Sequence, residues 1–210
     1  VRITGEFWFY GIFQPQRTSR MSEECHPTTR RLFAWEIQEA RCVFLDQIDY
    51  DAVRVHECTP WPNRINRLGA WIKRLPHPTQ HNAITLGNHC YFPVPLLKVP
   101  VPPFDPRLEL FSWLIHELTH VWQYQKLGWR YLFLALQAQI REGAAAYHFG
   151  GESGLIQALD QGRRFSDFNL EQQGDIARYY YERIARGQNV HAWSPFIAQL
   201  QGIDLPFDRA

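Results

Sequence analysis

His116-Glu117-Leu118-Thr119-His120 is the run of this chain with the clearest chemical content. It has the form H-E-x-x-H. On a helix, residues i and i+4 lie one above the other, so the imidazoles of His116 and His120 can reach one ion. Glu117, between them, is aimed at the position the ion leaves open. There it can take a proton from a water and pass it to a leaving amine. The ion expected is Zn2+, and the reaction expected is hydrolysis of a peptide bond, with Glu117 as general base and then general acid. The plainer reading is a pair of core histidines with no metal.

A catalytic zinc takes a third protein ligand. Two downstream glutamates compete for the role. Glu142 lies in Arg141-Glu142-Gly143-Ala144, and Glu171 lies in Glu171-Gln172-Gln173-Gly174-Asp175. The second segment has more to offer. Asp175 is one turn past Glu171 on the same helix face and can accept a hydrogen bond from a ligating histidine. Gly174 is small enough to let its helix approach closely. These features favour Glu171, with Glu142 as the alternative. Tyr147, His148, Tyr179, Tyr180 and Tyr181 are candidates for stabilising an oxyanion, although aromatic residues at helical spacing are more often core. Gln123, one turn past His120, is expected to orient loops and not substrate.

These residues need elements to hold them. Leu108, Phe111, Ile115, Leu118 and Trp122 recur at steps of three and four, which predicts a helix with one buried stripe. Asp105-Pro106 should start it, and Gly128 should end it. A second apolar helix is expected over about 129–148, interrupted by Gly150, Gly151 and Gly154. A third runs from about Asn169 to Arg186, and a short one from Ser194-Pro195 to Leu200. Upstream, Thr28 or Thr29 can cap a helix reaching about Gln47, with Leu32, Ala40, Val43 and Phe44 inward. Val53 to Cys58 alternates as a half-buried strand. Ala83–Leu86 and Cys90–Phe92 flank Gly87-Asn88 as a hairpin. Thr59–Pro78 and the proline-rich stretch 93–106 read as loop or extended connection. The fold expected is α+β, mainly helical, with a small antiparallel sheet beside the H-E-x-x-H helix. Residues 1–27 read as a tail or extension, and 28–210 as the domain.

The chain has 210 residues, 45% of them apolar, enough to bury a sizeable core. Its formal net charge of +1 gives no electrostatic argument for nucleic acid. No apolar run reaches the roughly 18 residues of a membrane span. Phe7–Phe13 is apolar but lacks the basic flank of a signal peptide. The sole methionine is Met21, so a start there, or a piece cut from a longer chain, is expected. Cys25, Cys42, Cys58 and Cys90 form no C-x-x-C pair, and buried free thiols are the first expectation. Cys58 and Cys90 could pair across neighbouring strands in an oxidising compartment. A second, Cys/His metal site is conceivable from Cys25-His26, His56-x-Cys58 and His89-Cys90.

The run from Leu114 to Gln123 resembles the zincin-like proteins called Vgr-related, which belong with the DUF4157 peptidase-like proteins. So do Val53–His56, Gly87–Pro93 and Phe168–Gln173, and the resemblance covers roughly residues 28–186. It implies a compact metallopeptidase domain associated with type VI secretion, either an effector (a toxin) or a domain fused to a spike protein. It implies export without a signal peptide and action in a target-cell compartment. It also places the third ligand at Glu171. The departure is Gly174, where such proteins usually carry Ala, a mild change. Two rival functions stand beside peptide hydrolysis. One is a non-catalytic, zinc-stabilised adaptor or cargo-binding module of secretion machinery. The other is a zinc hydrolase acting on a non-peptide amide, such as one of the cell wall.

Overall fold

The computed structural model describes residues 25–61, 82–131 and 148–203. Among these residues the fold is α+β, with a four-stranded sheet and five α-helices. The strands are β1 (Thr28–Arg30), β2 (Arg54–Glu57), β3 (Ile84–Leu86) and β4 (His89–Tyr91). The helices are α1 (Ala34–Phe44), α2 (Leu108–Leu127), α3 (Gly151–Asp160), α4 (Leu170–Ala185) and α5 (Ser194–Leu200).

The strand order is β1-β2-β4-β3. The expected hairpin is present, with Thr85 opposite Cys90 and Gly87-Asn88 at the turn. The sheet is mixed, however, and not antiparallel throughout, because β2 and β4 run parallel. The hairpin enters at the sheet edge as β3 and turns back between β3 and β2 as β4. β2 alternates as expected, with Val55 and Glu57 buried.

Thr28 and Thr29 do not cap a helix; they lie in β1, paired antiparallel with β2. Helix α1 starts later, where Glu36 reaches back to the amide of Phe33 at 2.8 Å. Glu36 is fully buried, and the Arg30 guanidinium grips it through two hydrogen bonds of 2.6 and 2.8 Å. The same guanidinium reaches Glu57 at 2.6 Å. One arginine thus ties β1, α1 and β2 together, a tertiary demand that outweighs the local capping signal of the threonines.

Asp105 anchors the turn before α2, accepting from the Arg107 amide at 2.8 Å, and Gly128 ends the helix at φ 61°. The single buried stripe is too narrow a description. Every residue from Phe111 to Val121 is buried, while Trp122 is only partly so. The sheet packs on one side of α2 and α4 on the other, so the helix has almost no wet face. Most of the helix expected over 129–148 lies outside the described residues, as do residues 1–24 and much of Thr59–Pro78. The glycines near 150 do not merely interrupt. Gly150, at φ 87°, precedes α3, an element the periodicity did not reveal.

Cys58 pairs with Cys25, not with Cys90, at a Cα–Cα distance of 5.5 Å. The register explains it. Thr28 faces Glu57 across an antiparallel pair, which brings Cys25 and Cys58 to the same end. Cys90 lies opposite Val55 on a parallel pair, three residues away from Cys58. Cys42 and Cys90 are free, the first exposed and the second buried.

Candidate metal centre

Helix α2 presents His116 and His120 on the face turned to α4, and α4 brings Glu171 in its first turn. Asn169 caps α4, accepting from the Gln172 amide at 2.8 Å, while the Gln172 side chain accepts from the Asn169 amide at 3.2 Å. This reciprocal cap fixes where the helix begins, and therefore where Glu171 points.

The Nε2 atoms of His116 and His120 are 3.2 Å apart. Oε2 of Glu171 lies 3.4 Å from the first and 3.6 Å from the second. Three corners of a tetrahedron built on zinc bonds of 2.0–2.1 Å are spaced by about 3.3 Å. The donor set therefore fits a zinc ion. Among the described residues this is the group of His, Cys, Asp and Glu side chains that could hold a metal. Glu142 lies outside the described residues.

The outer nitrogens are also committed. Nδ1 of His116 donates to Asp175 Oδ1 at 3.0 Å, as the spacing from Glu171 led us to expect. Nδ1 of His120 donates to Gln123 Oε1 at 2.8 Å. Both partners accept, so in each neutral imidazole the proton sits on Nδ1 and Nε2 is turned to the shared point. Gln123 was expected to orient loops; it holds the His120 ring instead. Its amide nitrogen donates to the Leu170 carbonyl and to Gln173 Oε1, both at 3.0 Å. Gln173 in turn donates to the carbonyls of Phe168 and Phe165 at 2.9 and 3.2 Å. The i, i+3 spacing of His120 and Gln123 was the available sequence signal for this pairing.

The electrostatics favour a positive charge between these groups. Burial opposes a proton on His116, but hydrogen bonds to Asp175 and Glu171 outweigh it and raise its pKa to about 10. Burial likewise opposes charge on His120, and the charge of Glu171 outweighs it, so its pKa is also raised. Burial would raise the pKa of Glu171, yet the two histidines hold it far below the usual carboxylate range. The same arrangement of charge suits a dication in the place of the proton.

Gly174 is where α4 meets the His116 ring. A Cβ there would lie 2.7 Å from Cε1 and 2.8 Å from Nδ1. An alanine at this position would therefore not be a mild change at this packing distance. Glu117 is 4% exposed, and its Oε2 accepts a hydrogen bond of 2.7 Å from the Thr85 hydroxyl. Sequence reasoning missed Thr85. A lone polar residue at an inward strand position, among Ile84 and Leu86, was the signal.

Of the oxyanion candidates, Tyr181 bonds Glu39 at 3.0 Å and packs on Phe111. Tyr179 packs its ring on Phe149, Tyr180 is partly buried, and His148 is exposed. Tyr147 lies outside the described residues. The second, Cys/His site does not form: Cys25 and Cys58 spend their sulfurs on each other. His56 and His89 meet on the outer face of the sheet, Nε2 to Nδ1 at 2.8 Å.

Over 154 residues, 72% of its length, the chain is 30% identical to the type VI secretion system spike protein VgrG2b of Pseudomonas aeruginosa. It spans 13% of the length of that protein. No family model matches the chain, and no solved structure matches it. Among the described residues no helix is long and apolar enough to cross a membrane.

Proposed function

We propose that this domain is a zinc-dependent peptide hydrolase that works with type VI secretion machinery. The observation that carries the reading is the His116–His120–Glu171 triangle, its histidines buried and Glu171 partly so, with the charge of Glu117 acting on both histidines. Zinc would supply Lewis acidity there, polarising a carbonyl and making a water acidic enough to lose a proton near neutral pH. Glu117 takes that proton and returns it to the leaving amine. Asp175 and Gln123 hold the two imidazoles in the tautomer that leaves Nε2 free. Similarity to a spike protein supports a place on, or delivery with, a secretion spike; action as an effector in a target-cell compartment belongs to the proposal itself.

The rival with a specific observation behind it is the zinc-stabilised adaptor, since the similar protein is named as a spike protein. Glu117→Gln separates the two. Zinc content and thermal stability should stay as in wild type, while hydrolysis of fluorescein-labelled casein falls by about 10²–10⁴-fold, as for loss of a general base. Expressed in the target compartment, wild type should be toxic and Glu117→Gln should not. If the two proteins match in every assay at equal zinc loading, the adaptor reading stands and the peptidase reading falls. Release of soluble fragments from cell-wall material, with casein untouched, would point to the non-peptide amide instead.

A further inference from the structure

Thr85 is the middle residue of edge strand β3, and it is 5% exposed. Its hydroxyl lies 2.7 Å from Glu117 Oε2, with a longer approach of 3.3 Å to the Glu117 carbonyl. A hydroxyl has one proton to give, and the shorter contact takes it. The strand that carries Thr85 is itself pinned. Cys90 faces it across the hairpin. On the other edge, the buried Tyr131 phenol donates to the Thr85 carbonyl at 2.6 Å and accepts from the Gly87 amide at 3.3 Å. Thr85 is β-branched and stiff at χ1, so the donor comes from a rigid position.

Glutamate is the opposite case. It has several rotatable bonds, and the torsion that turns its carboxylate is broad. Among the described residues no hydrogen bond reaches the other oxygen, Oε1. One oxygen is therefore tied to the sheet, while the other keeps its lone pairs for a proton. We infer that Thr85 is the positioning residue of the general base: its hydroxyl holds the Glu117 carboxylate so that Oε1 faces the reacting water. The inference rests on the proposed role of Glu117. The bland alternative is a structural tie between β3 and α2, in which the carboxylate's orientation does not matter.

The test uses the full chain as Thr85→Val and Thr85→Ser, with Thr85→Ala as a second variant lacking the hydroxyl. For Val, kcat on labelled casein should fall by about 10–100-fold, as for loss of an outer partner of a site, with KM and zinc affinity within about twofold. Ser should restore kcat to within about threefold of wild type. In the Glu117→Gln background, Thr85→Val should cost nothing further. Two readouts need no turnover. Acetohydroxamic acid, which hands a proton to a carboxylate beside the metal, should bind Thr85→Val more weakly than wild type or Thr85→Ser. In crystals of zinc-loaded Thr85→Val, the Glu117 carboxylate should leave its wild-type orientation. Full kcat in both hydroxyl-free variants, a Ser variant no better than Val, or an unmoved Glu117 would overturn the inference. If zinc-loaded wild type cleaves no substrate, the peptidase reading fails by itself, and the hydroxamate and crystal results still decide the role of Thr85.

Discussion

At the scale of single residues, the two histidines of the candidate site are each held by neighbours of their own. His116 has α4 against its ring and Asp175 on Nδ1; His120 has Gln123 on Nδ1. Removing a ligand should therefore differ from removing a holder. His116→Ala, His120→Ala and Glu171→Ala should each abolish stoichiometric zinc measured by plasma mass spectrometry, while Glu142→Ala should leave it. If Glu142→Ala strips the metal and Glu171→Ala does not, the assignment of the third ligand is wrong. Asp175→Ala and Gln123→Ala should weaken zinc binding by roughly 10–100-fold without abolishing it. Gly174→Ala should act like a holder mutation, because its new methyl must displace either the His116 ring or the helix. Unchanged zinc affinity in Gly174→Ala would show that the ring can yield at no cost.

At the scale of elements, the site depends on where α4 starts. Asn169→Ala removes the cap and should cost about 1 kcal/mol of stability, read by urea unfolding. It should also loosen zinc, since the frayed turn carries Glu171. The other joint is Arg30. Its side chain is 16% exposed, against 1% for that of Glu36, so it neutralises a carboxylate with no access to water. Arg30→Met should destabilise the fold by roughly 3–5 kcal/mol, the usual cost of leaving one buried charge unpaired. Thermal scans that show the variant as stable as wild type would mean that Glu36 finds another partner or a proton.

At the scale of the molecule, folding is linked to protons and to redox state. The pKa of His116 in the folded, zinc-free protein, about 10, lies above the ordinary value of 6.5. Its contribution to stability is therefore fully present below 6.5 and is lost as pH rises through about 10. Zinc-stripped protein should lose melting temperature over that window, while zinc-loaded protein should be much less affected. At pH 7, zinc uptake should release at least one proton, measurable by calorimetry in buffers of different ionisation enthalpy. Equal pH profiles with and without zinc would refute this linkage. The Cys25–Cys58 bridge closes a span of 33 residues and should contribute roughly 3–4 kcal/mol by chain entropy. In native protein, iodoacetamide should label Cys42 and spare Cys90, whose thiol pKa burial pushes up and whose sulfur has no access to solvent.

What sequence alone could determine here was local. The H-E-x-x-H spacing, the hairpin at Gly87-Asn88, the end of α2 at Gly128 and the placing of Glu171 and Asp175 on one helix face all follow from periods of two and 3.6 residues, which neighbours along the chain impose. The α+β class follows from the same periods. Contacts across the fold decided the rest. Thr28 and Thr29 joined a strand because Arg30 had two carboxylates to satisfy. The sheet became mixed because β4 paired with β2, and that register chose Cys25 over Cys90 as the partner of Cys58. Gln123 became a histidine's holder, and Thr85 came to face Glu117, through side chains 32 residues apart in sequence. No local period encodes such a meeting: it depends on which surfaces pack together, and packing is settled by the whole core at once.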